Sequence, residues 1–238
     1  MPENPIERVD TLTFDIFGTV LDLAGGIVPT LDGFLAQKQA AIGGADFWTQ
    51  WRARQRIEQY QDTIVMLGHG GYLEVARRAL VYTLRNNEIA HTDDDAREIL
   101  KVFENLNPFP DAVEGLNQLA SRYRLAALSN GDKWLVEHLV SERIDAPFSA
   151  TFSVDTVGCF KPHPAVYRAA AKALDREPGR IMMVAAHAFD VMGARACGFR
   201  GAYVNRYGLP YEDSPLQPDT TVSDFIELAA WLLGDSAA

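Results

Sequence analysis

The sequence predicts an α/β fold, a doubly wound parallel sheet interrupted early by an inserted run of helices. Two observations carry this. Short β-type runs recur at residues 11–17, 124–130, 150–154, 180–186 and 201–205, each with polar or small residues at or near its end. Amphipathic helical patterns separate most of them. Strands that alternate with helices form open parallel sheets covered on both faces, with ligands bound beyond the carboxyl ends of the strands.

The rhythm breaks once. From residue 23 to residue 107 the chain reads helix after helix, with 47–65, 72–86 and 94–105 the clearest segments. Thr92 followed by Asp95 has the spacing of a capping box with Asp in place of Glu, which marks a helix start. Pro108 and Pro110 mark the return to the sheet. The expected division is therefore a core made of residues 1–22 and 107–238 and a helical insertion of residues 23–106. Residues 206–221, rich in Pro, Gly, Tyr and acidic residues, read as an irregular connection before a last helix at 223–233.

With 238 residues and 47% apolar content, the chain has enough material for a sizeable core. A net charge of -10 without a concentrated basic patch argues against nucleic acid and anionic membrane as partners. Cys159 and Cys197 lie far apart and form no metal-ligand pair, which suits a reducing compartment. Residues 1–10 lack an apolar signal core and no later stretch is long enough to span a bilayer, so the expected location is cytoplasmic.

Candidate chemistry gathers at the strand ends. The first run, Leu12-Thr13-Phe14-Asp15, delivers a carboxylate into the turn Ile16-Phe17-Gly18-Thr19. A strand-end Asp also caps turns, and the partner motifs decide between the two readings. Ser129-Asn130-Gly131 follows the second run with a hydroxyl, an amide and free backbone N–H groups, although this is common turn chemistry too. Lys161-Pro162 follows the third, where an ammonium facing Asp15 would keep it ionised and neutralise developing charge. His187 and Asp190 follow the fourth, ahead of the small residues Gly193 and Ala194. Asp190 at a helix start fits an N-cap as well as a place beside Lys161.

An Asp, a Ser-Asn, a Lys and an Asp at the ends of successive strands resemble the haloacid dehalogenase superfamily over nearly the whole chain. The resemblance implies a Rossmann-like core with the insertion acting as a cap domain. Phosphatases of that superfamily carry a second Asp two residues after the nucleophile, where this chain has Phe17. They also place an acidic metal ligand four residues before the position of Asp190, where this chain has Ala186. A Mg²⁺ site stripped of a carboxylate binds poorly. The expectation is therefore no cofactor and no metal, with substitution at carbon.

The branch it resembles is the L-2-haloacid dehalogenases, in which an aspartate displaces halide and water hydrolyses the resulting ester. The resemblance implies Asp15 as nucleophile, Thr19 and Ser129 as positioning groups for it and for the substrate carboxylate, Lys161 as fixed positive charge and Asp190 as aid to the hydrolytic water. Tyr167 matches a further site position. Trp51-Arg52-Ala53-Arg54-Gln55 resembles the stretch bearing the cap arginine, which makes Arg52, with Asn130, the halide grip. A charged helix of this kind equally suits a solvated face. Ala185, His187 and Phe189 stand where the family has serine, asparagine and tryptophan, and Phe17 stands where these dehalogenases commonly have tyrosine.

His187 fits two roles, orienting or deprotonating the hydrolytic water, or packing and hydrogen bonding alone. The implied partner is a small anionic 2-haloacid such as haloacetate, 2-halopropionate or fluoroacetate, and the family resemblance implies a homodimer. The alternatives are ring opening of a strained imino acid such as azetidine-2-carboxylate, a phosphatase, and a binding module without catalysis.

Overall fold

The computed structural model describes residues 5–65 and 69–234. Among them, six strands form one parallel sheet in the order β3-β2-β1-β4-β5-β6. They are β1 (Thr11–Phe14), β2 (Arg124–Ser129), β3 (Phe148–Ser153), β4 (Ile181–Ala185), β5 (Arg200–Val204) and β6 (Thr220–Val222). β1 and β4 are central and fully buried, the threonines of β1 included, as expected of parallel strands covered on both faces. The strand order reverses between β1 and β4, which run side by side from Thr11 opposite Ile181 to Phe14 opposite Val184. Their shared carboxyl end is the crevice where such sheets bind ligands.

Helices α1 (Leu23–Gln37), α2 (Gly44–Val65), α3 (Tyr72–Asn86) and α4 (Asp93–Leu100) all lie between β1 and β2. The capping box at Thr92 and Asp95 forms in both directions. The segment read as one helix over 94–105 divides, with α4 followed by a 3-10 turn at Lys101–Asn105. Helices α5 (Ala112–Leu119), α6 (Lys133–Glu142), α7 (Pro164–Leu174), α8 (Ala188–Ala196) and α9 (Phe225–Leu233) cover the sheet.

β6 was not legible: it begins at the end of the connection read as irregular over 206–221, and three residues carry too little alternation to stand out. It pairs parallel with β5. A bidentate ion pair between Arg206 and Asp111, with both contacts at 2.9 Å, ties this connection to the start of α5. Among the described residues, no helix is long and apolar enough to cross a membrane.

Several hydrogen bonds lash the insertion to the core, among them contacts at Asp132 and Phe160. The Asp132 carboxylate, just before α6, accepts from the Tyr72 and Leu73 amides at 2.8 and 3.0 Å, so a core residue caps the first turn of α3. The Phe160 amide donates to Thr63 Oγ1 at 3.1 Å. These fix which face of α2 and which end of α3 look down on the β1–β4 crevice.

Candidate functional site

Asp15 is the first residue past β1, and its amide donates to the Val184 carbonyl of β4 at 3.0 Å. The chain then turns sharply: the Val20 and Leu21 amides both reach the Ile16 carbonyl, at 3.1 and 2.9 Å. Gly18 holds φ +84°, a region only glycine enters freely, and a Cβ there would stand 2.8 Å from the Tyr207 hydroxyl. The turn folds Thr19 back so that its hydroxyl donates to Asp15 Oδ2 at 2.8 Å and accepts from the Ala186 amide at 2.9 Å.

Lys161 is 1% exposed. Its ammonium spends all three donors, on Asp15 Oδ1 at 3.1 Å, Asp190 Oδ2 at 2.7 Å and the Leu128 carbonyl at 2.6 Å. Asn130 Oδ1 accepts from the Lys161 amide at 2.8 Å and so sets the backbone from which that side chain springs. The other Asp190 oxygen accepts from the Tyr167 hydroxyl at 2.7 Å. Gly193 leaves room for that tyrosine, since a Cβ there would lie 2.7 Å from its hydroxyl. The helix cap is His187, and Asp190 lies inside the first turn of α8 with both oxygens engaged. The N-cap reading of Asp190 is therefore set aside.

From above, α2 brings Arg52, whose Nη1 donates to Gln55 Oε1 at 2.9 Å and reaches the Tyr72 hydroxyl at 3.5 Å. Its Nη2 lies 3.5 Å from His187 Nε2. A guanidinium only donates, so Nε2 is the acceptor and the imidazole proton is inferred on Nδ1. That nitrogen faces Asp15 Oδ2 at 3.2 Å, at an angle short of a hydrogen bond.

Burial alone would raise the Asp15 carboxyl, but the Lys161 charge, with His187 and Thr19, outweighs it and holds the group well below the usual carboxylate range. Asp15 is thus ionised at neutral pH. Asp190 moves the other way, because burial and the neighbouring Asp15 charge outweigh Lys161. The Asp15 and Asp190 charges raise Lys161 against the opposing effect of burial, so it stays an ammonium.

Burial pushes His187 down to about 4, the Asp15 contact opposes this, and Arg52 and Arg56 add to the depression. Between pH 6.5 and 4 the unfolded chain binds a proton that the folded chain refuses, so stability is lost as pH falls through that window, by about 3 kcal/mol in all. Thermal melts at pH 7.5 and 5 are expected to show a smaller acid-side drop in His187→Asn than in the parent; equal drops would remove the histidine as the cause.

The cleft between sheet and insertion is narrow, about 290 Å³. Of the residues singled out in the sequence, Asp15, Phe17, Arg52, Asn130, Lys161, His187, Phe189 and Asp190 line it. Thr19, Ser129 and Tyr167 do not reach its wall. They stand behind it, Thr19 on Asp15, Tyr167 on Asp190, and Ser129 with its hydroxyl accepting from the Gly131 amide at 3.1 Å.

Two lining residues were missed, Gln59 and Tyr72. Tyr72 stacks on Phe17 with ring centres 4.6 Å apart and planes 7° from parallel. Gln55 and Gln59 are buried on α2 one turn apart, and two amides on the same helix face as Trp48 and Trp51 were the available signal. The donor set does not suit a hard divalent cation, which wants several oxygen ligands. Both carboxylates already bind the Lys161 ammonium, and among the described residues no third acidic, His or Cys side chain joins them in a metal-ligand group.

A parallel sheet that presents an ionised carboxylate, a buried lysine and a second carboxylate at its switch point, beneath an inserted helical layer, defines a hydrolase of the α/β class. Residues 9–198 match the haloacid dehalogenase-like hydrolase family, and the chain belongs to it. It is 28% identical over 219 residues to haloacetate dehalogenase H-2 of Moraxella sp. (strain B), covering 91% of this chain and 95% of that one. It is 31% identical over 200 residues to the (S)-2-haloacid dehalogenase of Xanthobacter autotrophicus, covering 83% and 76%. The solved structure of L-2-haloacid dehalogenase from Xanthobacter autotrophicus with chloropropionic acid covalently bound superposes with a TM-score of 0.82 at 25% identity, over 96% of this chain and all of that one.

Proposed function

We propose that the protein hydrolyses short 2-haloacids, among them haloacetate, 2-halopropionate and fluoroacetate, through an ester on Asp15 and without a metal. The observation that carries this is the Asp15 carboxylate itself, kept ionised by Lys161 and aimed by Thr19 into a cleft too narrow for a bulky substrate. In this reading an Asp15 oxygen attacks the carbon bearing the halogen. The new C–O bond forms as the C–X bond breaks, and the halide leaves with the bonding pair. Water then adds to the Asp15 carbonyl carbon and releases a 2-hydroxy acid, the proton count closing with one hydrogen halide per turnover.

Each neighbouring group has a part in that sequence. Arg52 stands across from the nucleophile with hydrogen-bond donors for the departing halide, together with Asn130; loss of one preorganised donor commonly costs about 10²–10³ in rate. Asp190, its affinity for protons raised by burial, takes up the proton of the hydrolytic water. His187 carries its proton on the nitrogen facing Asp15 and donates to the oxygen on which negative charge builds as water adds. Phe17 and Phe189 give apolar walls, while Ser129 and Tyr167 act as positioning residues. Residues 23–106 serve as a cap over the core of residues 1–22 and 107–238, excluding bulk water and strengthening every charge interaction inside. Two such chains pair as a homodimer.

The deciding experiment is halide release from chloroacetate and 2-chloropropionate with and without EDTA, alongside azetidine-2-carboxylate and a phosphomonoester. Chloride release unchanged by the chelator is expected. Turnover confined to the ring substrate, or phosphate release dependent on Mg²⁺, would overturn the proposal.

A further inference from the structure

A second and larger space, a groove open to solvent, adjoins the reaction cleft and meets it at Arg52 and His187, which line both. One side is apolar, built from Leu23, Trp48 and Leu209; the other is cationic, built from Arg52 and Arg56 one turn apart on α2.

Arg56 has no counterpart of its own. Its neighbour on the helix, Arg54, donates to Glu58 at 3.0 Å, whereas among the described residues Arg56 forms no ion pair, and its Nε is buried without a hydrogen-bond partner. Its guanidinium sits 5.3 Å from the centre of the Phe189 ring. Burial and the charge of Arg52 both depress its proton affinity. The hydroxyls along this wall are already committed, Tyr207 to the Gly18 carbonyl at 2.9 Å and Thr49 to the Ala45 carbonyl at 3.0 Å. A half-buried cation without an ion-pair partner, set beside another cation, is costly, and an anion placed between them relieves both the desolvation and the repulsion.

A haloacetate in the cleft has too few atoms to extend past Arg52, so the groove is not built for it. The contact separating the two spaces, Arg52 to His187, is a long one at 3.5 Å, at the limit of hydrogen bonding, and a longer substrate would have to part it. We infer that Arg56 is a subsite for a second carboxylate at the far end of the substrate, so that the preferred substrates are 2-halodicarboxylic acids whose methylenes lie against the apolar wall. This rests on the dehalogenase reading above. The second carboxylate is unchanged in the reaction: the C–X bond breaks, Asp15 forms and loses its ester, and the product is the 2-hydroxydicarboxylate.

The test compares kcat/KM for 2-chlorosuccinate and 2-chloroglutarate with that for 2-chlorobutyrate and 2-chlorovalerate, monoacids of matching carbon number, in the parent, Arg56→Met and Arg56→Lys. The parent is expected to favour the diacids by at least about tenfold, the scale of one charge-assisted contact. Arg56→Met is expected to abolish that preference through KM, with Arg56→Lys restoring part of it. Chloride release from the monoacids with no preference for the diacids, or a preference that survives Arg56→Met, overturns this inference and leaves the dehalogenase reading standing. An effect of Arg56→Met confined to inhibition by added halide overturns it as well and assigns the arginine to the leaving ion. Absence of chloride release from every acid defeats both readings.

Discussion

Asp15→Asn is expected to lower halide release by about five to six orders of magnitude, the range over which loss of a covalent nucleophile acts. The amide keeps the volume of the carboxylate and can still accept from Thr19, so the pocket shape survives, but it lacks the charge and the nucleophilicity. The variant is also expected to fold. In the parent, Lys161 serves two carboxylates at 3.1 and 2.7 Å; in the variant it keeps Asp190, and the buried charges balance one to one. A thermal melt at or above that of the parent would therefore separate lost chemistry from lost structure. In water labelled with heavy oxygen, a single turnover by the parent should place the label in the Asp15 carboxylate and none in the product. Label appearing first in the product would mean that water attacks the substrate directly, and chloride release surviving in Asp15→Asn would exclude that residue as nucleophile.

How much of this was legible in the chain follows the physics of each element. β2 and β4 announce themselves by near-continuous apolar runs and β1 by threonines alternating with large apolar residues, and a polar residue where such a run stops stands out against it. Asp15, Ser129 and Asn130 were readable on that ground, Lys161 and Asp190 by their order after it. Depth was not readable: sequence order places Thr19, Ser129 and Tyr167 near the crevice but cannot say that the turn at Gly18 folds Thr19 behind Asp15, or that Gly193 admits Tyr167 beneath Asp190. The insertion was the least legible part of the site. Arg52, Arg54 and Arg56 lie on one polar helix, and which of them meets the cleft depends on how Asp132 docks the start of α3, a contact 60 residues apart in sequence. Tyr72 and Gln59 enter the wall by the same docking, Tyr72 with no local pattern to mark it and Gln59 with only its place on the Trp48 and Trp51 face of α2.

Lys161→Met should show that the lysine, more than any other group, makes the site possible. Removing it leaves the Asp15 and Asp190 carboxylates buried without their shared cation, a loss of the kind that costs about 3–5 kcal/mol at neutral pH. The pH dependence gives the sharper test, because its sign reverses. In the parent, the folded-state affinity of Asp15 for protons lies below its ordinary value, so its contribution to stability is present above the usual carboxylate range and is lost only as pH falls through the depressed value. Without the ammonium, burial and the mutual repulsion of the two carboxylates outweigh the His187 and Thr19 contacts, so the Asp15 carboxyl rises above its unfolded value and Asp190, already raised, rises further. Their stability is then full in acid and lost as pH rises. The gap in melting temperature between variant and parent is thus expected to be widest near pH 8 and to narrow towards pH 5. Activity should fall with it, because a protonated Asp15 cannot attack, and what remains should climb with pH as the carboxyl ionises. A gap that stays constant across this range, or a pH–rate profile identical to that of the parent, would mean that Lys161 does not set the charge state of Asp15, and the proposed chemistry would lose its source of ionisation.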